Sequence, residues 1–153
     1  MRCPTLEQEL EHQAVDKRNA LLVISSFEED HTRMGHVFGG ESNWLVRGVR
    51  TRGEATVLVC ENPPPVVICE RDLPDGNWKD ILDALTLLAH PPALIVTSRL
   101  ADEYLWVEVL NLGGHDVLSK PLHEKEVLWA VDSAWRHWNG KREQAKRVQK
   151  AIA

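Results

Sequence analysis

The sequence predicts an α/β domain in which a five-stranded parallel sheet is covered by helices on both faces. Three observations carry this. Five short apolar runs begin at residues 20, 44, 66, 94 and 116, each rich in Val, Ile and Leu and bounded by turn residues. Runs of this length are too short for helices and too uniformly apolar for strands with one wet face, so they read as strands buried on both sides. The intervals between them each have room for one crossover helix, and strict β-α alternation implies a parallel sheet with right-handed connections.

In order, the strands are expected at Ala20–Ile24, Trp44–Val49, Val66–Cys69, Leu94–Thr97 and Asp116–Leu118. The first helix, Glu28–Gly39, opens on carboxylates, which favour a helix N-terminus. A short second helix, Gly53–Cys60, is stopped by Asn62-Pro63-Pro64-Pro65. The third, Asn77–Ala89, carries Ile81, Leu82, Leu85 and Leu88 at helical spacing, with Asp75-Gly76 as its expected cap. The fourth, Ala101–Leu112, ends at Gly113-Gly114. The last begins near His123 and aligns Val127, Leu128, Val131, Trp135 and Trp138 on one face. Residues 1–19 form a polar extension, either a short docked helix or disordered, in which Leu6, Leu10 and Val15 are sparse apolar marks. Residues 20–138 form the domain, and 139–153 a helical continuation or frayed tail.

Length and charge narrow the function classes. With 153 residues, 43% of them apolar, the chain can build one core without a disulfide or metal. No apolar run approaches the ~20 residues of a membrane helix, and carboxylates occupy the N-terminus where an export signal would be apolar. A cytoplasmic protein is expected. Cys3, Cys60 and Cys69 make neither an even set nor a C-x-x-C pair, so buried or free thiols are expected, and no zinc. The net charge of −5 divides into an acidic body and a basic tail bearing Lys141, Arg142, Lys146, Arg147 and Lys150. An acidic body disfavours nucleic acid as principal partner, since phosphate contacts dominate that affinity.

Ligands of doubly wound sheets sit at the carboxyl ends of the strands, which singles out Ser25-Ser26, Glu70, Thr97-Ser98 and Ser119-Lys120-Pro121. The stretches VVICERDLPDGNWKDIL and PPALIVTSRLADEYLWVEVLNLGGHDVLSKPL, with the piece G-G-x-D-x-L-x-K-P as the strongest signal, resemble the second half of a bacterial response-regulator receiver domain. The resemblance covers roughly residues 20–138 and implies a flavodoxin-like (βα)5 fold. It also implies an aspartate that accepts a phosphoryl group from a histidine kinase, an acidic pair holding Mg²⁺, a Thr or Ser, a Lys, and a switch aromatic.

Matched position by position, this chain departs from the pattern. Glu70 stands at the acceptor position, four residues before Pro74, and Ser25 and Ser26 replace the acidic pair. Thr97, Lys120 and Pro121 match, while Val117 occupies the switch-aromatic position. Phosphoryl transfer needs a nucleophile and a cation to offset the oxygen charge, and hard dications want several oxygen ligands; the usual version of both is missing. The expected function is therefore that of an atypical receiver that signals by protein contact, with Glu70 standing in for the charged acceptor beside Lys120 and Thr97. An ion pair that merely closes the sheet is the plain structural alternative. Partners would be a histidine kinase or a downstream effector, or a second copy through the face of the fourth helix, fifth strand and fifth helix. Tyr104, Trp106 and Trp129 are candidate contacts there.

Competing readings are a receiver phosphorylated at an unusual position, with Asp72 and Asp75 as substitutes, and a small enzyme or cofactor binder on the same sheet. The second is disfavoured because Phe27-Glu28-Glu29-Asp30 puts three carboxylates where an anion would bind and offers no glycine. No cofactor is expected. His31 and His36 lie five apart, off the spacing of a shared helix face, and the seven histidines read as surface residues. Cys60 and Cys69 read as small core residues, and no catalytic triad can be assembled, so an enzyme is not expected.

Overall fold

The computed structural model describes residues 18–40 and 42–152. Its strands are β1 (Asn19–Ile24), β2 (Trp44–Val49), β3 (Val66–Glu70), β6 (Ala93–Ser98) and β7 (Asp116–Ser119), with a two-residue hairpin of β4 (Asp72–Leu73) and β5 (Gly76–Asn77) beyond the third. The helices are α1 (Glu28–Val37), α2 (Arg52–Glu61), α3 (Trp78–Thr86), α4 (Glu103–Leu112) and α5 (Glu124–Ile152). The main sheet is wholly parallel in the order β2-β1-β3-β6-β7. This is the flavodoxin-like arrangement that the β-α alternation predicts. Among the described residues no helix is long and apolar enough to cross a membrane.

Strand alternation divides the interior into two apolar layers. Leu21, Val23, Val66, Ile68 and Ile95 point to the side covered by α1 and α5. Leu22, Ile24, Val67, Cys69, Leu94 and Val96 point to the side covered by α2, α3 and α4. Burial on both faces is why the central strands read as unbroken apolar runs.

Local chemistry fixes the helix starts, and it corrects one expectation. Asp75 does not cap the third helix. Asn77 does, accepting from Lys79 N at 2.9 Å while Asp80 accepts from Asn77 N at 3.0 Å. The Asp75 carboxylate instead accepts from Arg52 N at 2.7 Å and Gly53 N at 3.0 Å, binding the hairpin turn to the start of α2. These backbone donors hold the Asp75 carboxyl below the usual carboxylate range. Thr51 and Asp102 cap α2 and α4, and Gly113, at φ 104°, provides the left-handed stop after α4.

Three further expectations change. Leu128 is exposed, and the buried stripe of α5 is Val127, Ala130, Val131 and Ala134, with Trp135 and Trp138 half-buried beside it. The small alanines at 130 and 134 hold the inward positions that a count of large apolar residues overlooks. Cys60 is exposed near the end of α2, where the helix turns it from the sheet; Cys69 is buried. Nor are all histidines on the surface: His31 and His115 are half-buried and hydrogen-bonded. Residues 139–152 continue α5 as helix, and its 29 residues extend about 43 Å. The expectations for residues 1–17 lie outside the described residues.

His115 joins β7 to α5: its Nε2 lies 3.1 Å from Ser133 Oγ and its ring 5.5 Å from that of His137. Burial, then the neighbouring His137 and Lys141, outweigh the carboxylate of Asp116 and lower the His115 pKa. The folded state thus takes up this proton less readily than the unfolded chain, so the stability is complete above the unfolded value of about 6.5 and falls as pH drops through the folded value. Thermal unfolding between pH 7.5 and 5 will show a shallower loss of Tm in His115→Asn than in the parent chain; equal slopes would contradict this assignment.

Candidate functional site

The site forms where β1, β3, β6 and β7 deliver their carboxyl ends to one edge. Glu70 ends β3 and Thr97 lies opposite it in the β3-β6 register. Lys120 follows β7, and the Lys120–Pro121 peptide is cis. Lys120 Nζ lies 2.5 Å from Glu70 Oε2, and Thr97 Oγ1 donates to that same oxygen at 3.0 Å. The three residues that the motif analysis brought together are therefore in contact.

A fourth member was not anticipated. Asp30, in the first turn of α1, is buried and accepts from Lys120 Nζ at 2.6 Å through Oδ2. Ser25 Oγ donates to the same atom at 2.5 Å. The signal was present in the sequence: Asp30, Met34 and Val37 share one helical stripe and all three are buried. Reading Glu28, Glu29 and Asp30 together as helix-end charge hid that Asp30 alone faces inward. Glu28 and Glu29 are exposed, paired with Arg50 and Arg99 respectively.

Ser25 does not ligate like a carboxylate; it is a relay in the loop after β1. Its Oγ accepts from Phe27 N at 3.1 Å, and its carbonyl accepts from His31 Nε2 at 2.7 Å, which places a proton on that nitrogen. Ser26 is half-buried and contributes no acid. The Phe27 ring lies over the ammonium, with its centroid 4.6 Å from Lys120 Nζ, a favourable cation–π placement. The Lys120 side chain is only 7% exposed.

One ammonium thus serves two carboxylates in a nearly water-free pocket, with one hydroxyl donated to each acid. Charged groups taken from water are costly to bury unless they are paired and hydrogen-bonded, as both acids are here. The pair does not fit the Mg²⁺ that the resemblance implies. Both acids already face Lys120, the acidic-pair positions are serines, and among the described residues no group of three or more His, Cys, Asp or Glu side chains is arranged for a metal. Next to Glu70, the Cys69 thiol is raised above its usual range, first by burial and second by the Glu70 charge, and is chemically quiet.

The remaining sites fall as follows. Pro121 is exposed, and Val117 packs partly buried against the layer under α2, α3 and α4. Tyr104, Trp106 and Trp129 are 87%, 49% and 70% exposed. The first two lie on α4 and the third on α5, helices that cover opposite faces of the sheet, and Tyr104 lines a groove with Val107, Leu112 and Lys79 of α3. Asp72 is exposed on β4.

A parallel five-stranded sheet in this order, flanked by helices on both faces, is the fold of solved response-regulator receiver domains. Two solved receiver domains match in structure. One, from a protein described as a Luxo repressor of Vibrio parahaemolyticus, gives a TM-score of 0.76 at 19% identity, covering 82% of this chain and 95% of that one. The other, from an HD domain-containing protein of Pseudomonas fluorescens Pf-5, gives 0.74 at 23% identity over 82% and 93%. In sequence the chain is 31% identical over 99 residues to the transcriptional regulatory protein KdpE of Mycobacterium tuberculosis, covering 61% of this chain. It spans 43% of that relative's length. No family model matches the chain.

Removing the shared cation tests the triad. Lys120→Met leaves two facing carboxylates buried and is expected to cost about 3–5 kcal/mol in urea unfolding. Adding Asp30→Asn and Glu70→Gln to it removes the uncompensated charge and should restore most of that loss. If the single variant unfolds at the parental midpoint, the triad does not hold the site together.

Proposed function

We propose that this chain is an atypical receiver domain that transmits a two-component-type signal through protein contacts, without conventional aspartyl phosphorylation. The observation that carries this reading is the engagement of Glu70. Its carboxylate already engages Lys120 and Thr97, the two residues that match the Lys and Thr positions of the resemblance. Glutamate is one methylene longer than aspartate, which carries its charge further toward the space a phosphoryl group would fill. Lys120 supplies internally the positive charge that a dication would otherwise bring, and it spends that charge on Asp30 and Glu70. The site therefore holds one arrangement permanently and turns nothing over.

Surface chemistry supports contact as the output. Helix α4 exposes Tyr104, Trp106, Val107, Leu110 and Leu112. Exposed apolar residues concentrated on one helix are the usual mark of a protein-binding surface. A histidine kinase, a downstream effector or a second copy of the chain are the partners this reading admits, and a cytoplasmic setting goes with it. Phosphorylation at a substitute acid is weakened by the position of Asp75, whose carboxylate is committed to Arg52 N and Gly53 N.

Intact mass after incubation with Mg²⁺ and a small acyl phosphate tests the reading directly. The natural chain should show no phosphoryl adduct, whereas Ser25→Asp/Ser26→Asp/Glu70→Asp should gain one. A stable adduct on the natural chain, mapped to Glu70, Asp72 or Asp75, would replace this proposal with a working phosphoacceptor.

A further inference from the structure

Helix α5 runs past the domain it covers. His115, just before β7, touches Ser133 and His137, so α5 reaches the amino-terminal edge of the sheet near residue 137. The turns from 141 to 152 project about 18 Å past that edge, and every residue from 143 to 152 is exposed. Yet the stripe that seats α5 on the sheet does not stop there. Val127, Val131, Ala134 and Trp138 pack in the layer under α1 and α5. Lys141, Ala145, Val148 and Ile152 then extend the same alternation of four- and three-residue steps without a break. A run of this period is the seam by which one helix meets another. A groove follows it, edged by Gln144 and Gln149.

The charges are placed so as to leave that seam open. Lys146, Arg147 and Lys150 stand roughly 120–160° around the helix from it, and Lys146 pairs there with Glu143 at 3.8 Å. Arg142, on the flank nearest the domain, lies back over the Trp138 ring, 5.4 Å from its centroid. An acidic partner would therefore seek the far face, whereas the seam, apolar and bordered by neutral amides, suits a helix of its own kind. We propose that residues 141–152 of α5 pair with the same residues of a second copy of this chain, in antiparallel orientation. Lys141 decides the direction. A parallel pair would set the two Lys141 ammoniums in one layer. Antiparallel pairing sets Lys141 against Ile152 of the second copy and Ala145 against its Val148, so that the lysine stem covers the isoleucine while the ammonium reaches water. Twelve residues a side is fewer than the roughly 20–30 of a standard interface, so the pair is weak and forms near about 0.1 mM chain. It joins two domains through a surface separate from both the α4 face and the Lys120 pocket.

Sedimentation equilibrium on the full chain tests this. The parent should dimerise as its concentration rises. Ala145→Glu and Val148→Lys should each weaken the dimer by about tenfold or more, the effect of one unpaired charge set against an apolar layer. An equimolar mixture of the two variants should recover it, because only antiparallel pairing sets the new carboxylate against the new ammonium. Both positions lie beyond the sheet, so the Tm of either variant at dilute, monomeric concentration should equal that of the parent. Tyr104→Ser/Trp106→Ser on α4 should leave association untouched. Raising sodium chloride from about 0.05 M to about 0.5 M should tighten the pair by screening the like charges on its outer faces. A parent chain that stays monomeric up to about 1 mM overturns the proposal. So does a dimer that survives both seam variants, that the mixture fails to restore, that loosens as salt rises, or that is lost with the α4 substitutions.

Discussion

The ammonium of Lys120 is the point at which three separate stretches of chain are held in register at the top of the sheet. Asp30 comes from α1, Glu70 from β3 and Lys120 from the end of β7, and sequence separates the lysine from Asp30 by 90 residues. Two carboxylates in a pocket this dry repel one another strongly, and the cation between them converts that repulsion into a link. The loop after β1 follows from this. Ser25 donates to Asp30, Phe27 covers the cation, and His31 ties the Ser25 carbonyl back to α1. The outer pairs, Glu28 with Arg50 and Glu29 with Arg99, are exposed and add little by themselves. They set the first turn of α1 across strands on both sides of β1.

Such a link is better suited to specificity than to stability. Burying charges is expensive, and an apolar replacement of equal shape would serve the fold at least as well. What the triad provides is a unique geometry for the strand ends. In a site built for turnover the cation and the anion must come and go. Here the cation is covalently part of β7's connection and the anion is part of β3, so neither can leave. On the reading proposed above, Ser25, Ser26 and Glu70 belong to one arrangement seen at three positions. Without an acidic pair there is no place for a dication; without a dication Lys120 must balance the acids; and a glutamate reaches it.

Most of the fold was legible because burial on both faces of a parallel sheet leaves a strong trace. The central strands Val66–Glu70 and Ala93–Ser98 have no exposed position to interrupt the apolar run, and their predicted limits fall within one residue of the structure. Glu70, Thr97 and Lys120 were legible because topology alone brings strand ends together. Asp30 was not, because its significance depends on which of three adjacent carboxylates points inward, and that is decided by the phase of α1 against Met34 and Val37. Asp75 was misassigned for a related reason. An Asp one turn before a helix suggests a local cap, but the nearest free N–H groups in space belonged to α2, 22 to 23 residues earlier.

Charge segregation gives the same lesson on the scale of the chain. The body is acidic, yet its two inward-facing acids share one buried ammonium, so most of the charge a partner meets lies on the exposed faces of the helices. Helix α4 presents aromatic and aliphatic side chains with few charges, whereas the end of α5 presents the reverse, a cationic rod with a thin apolar stripe. These surfaces recognise by different physics. Association with α4 would draw on apolar burial and would change little with salt, while association of an acidic partner with the cationic face of α5 would draw on charge and weaken as salt rises.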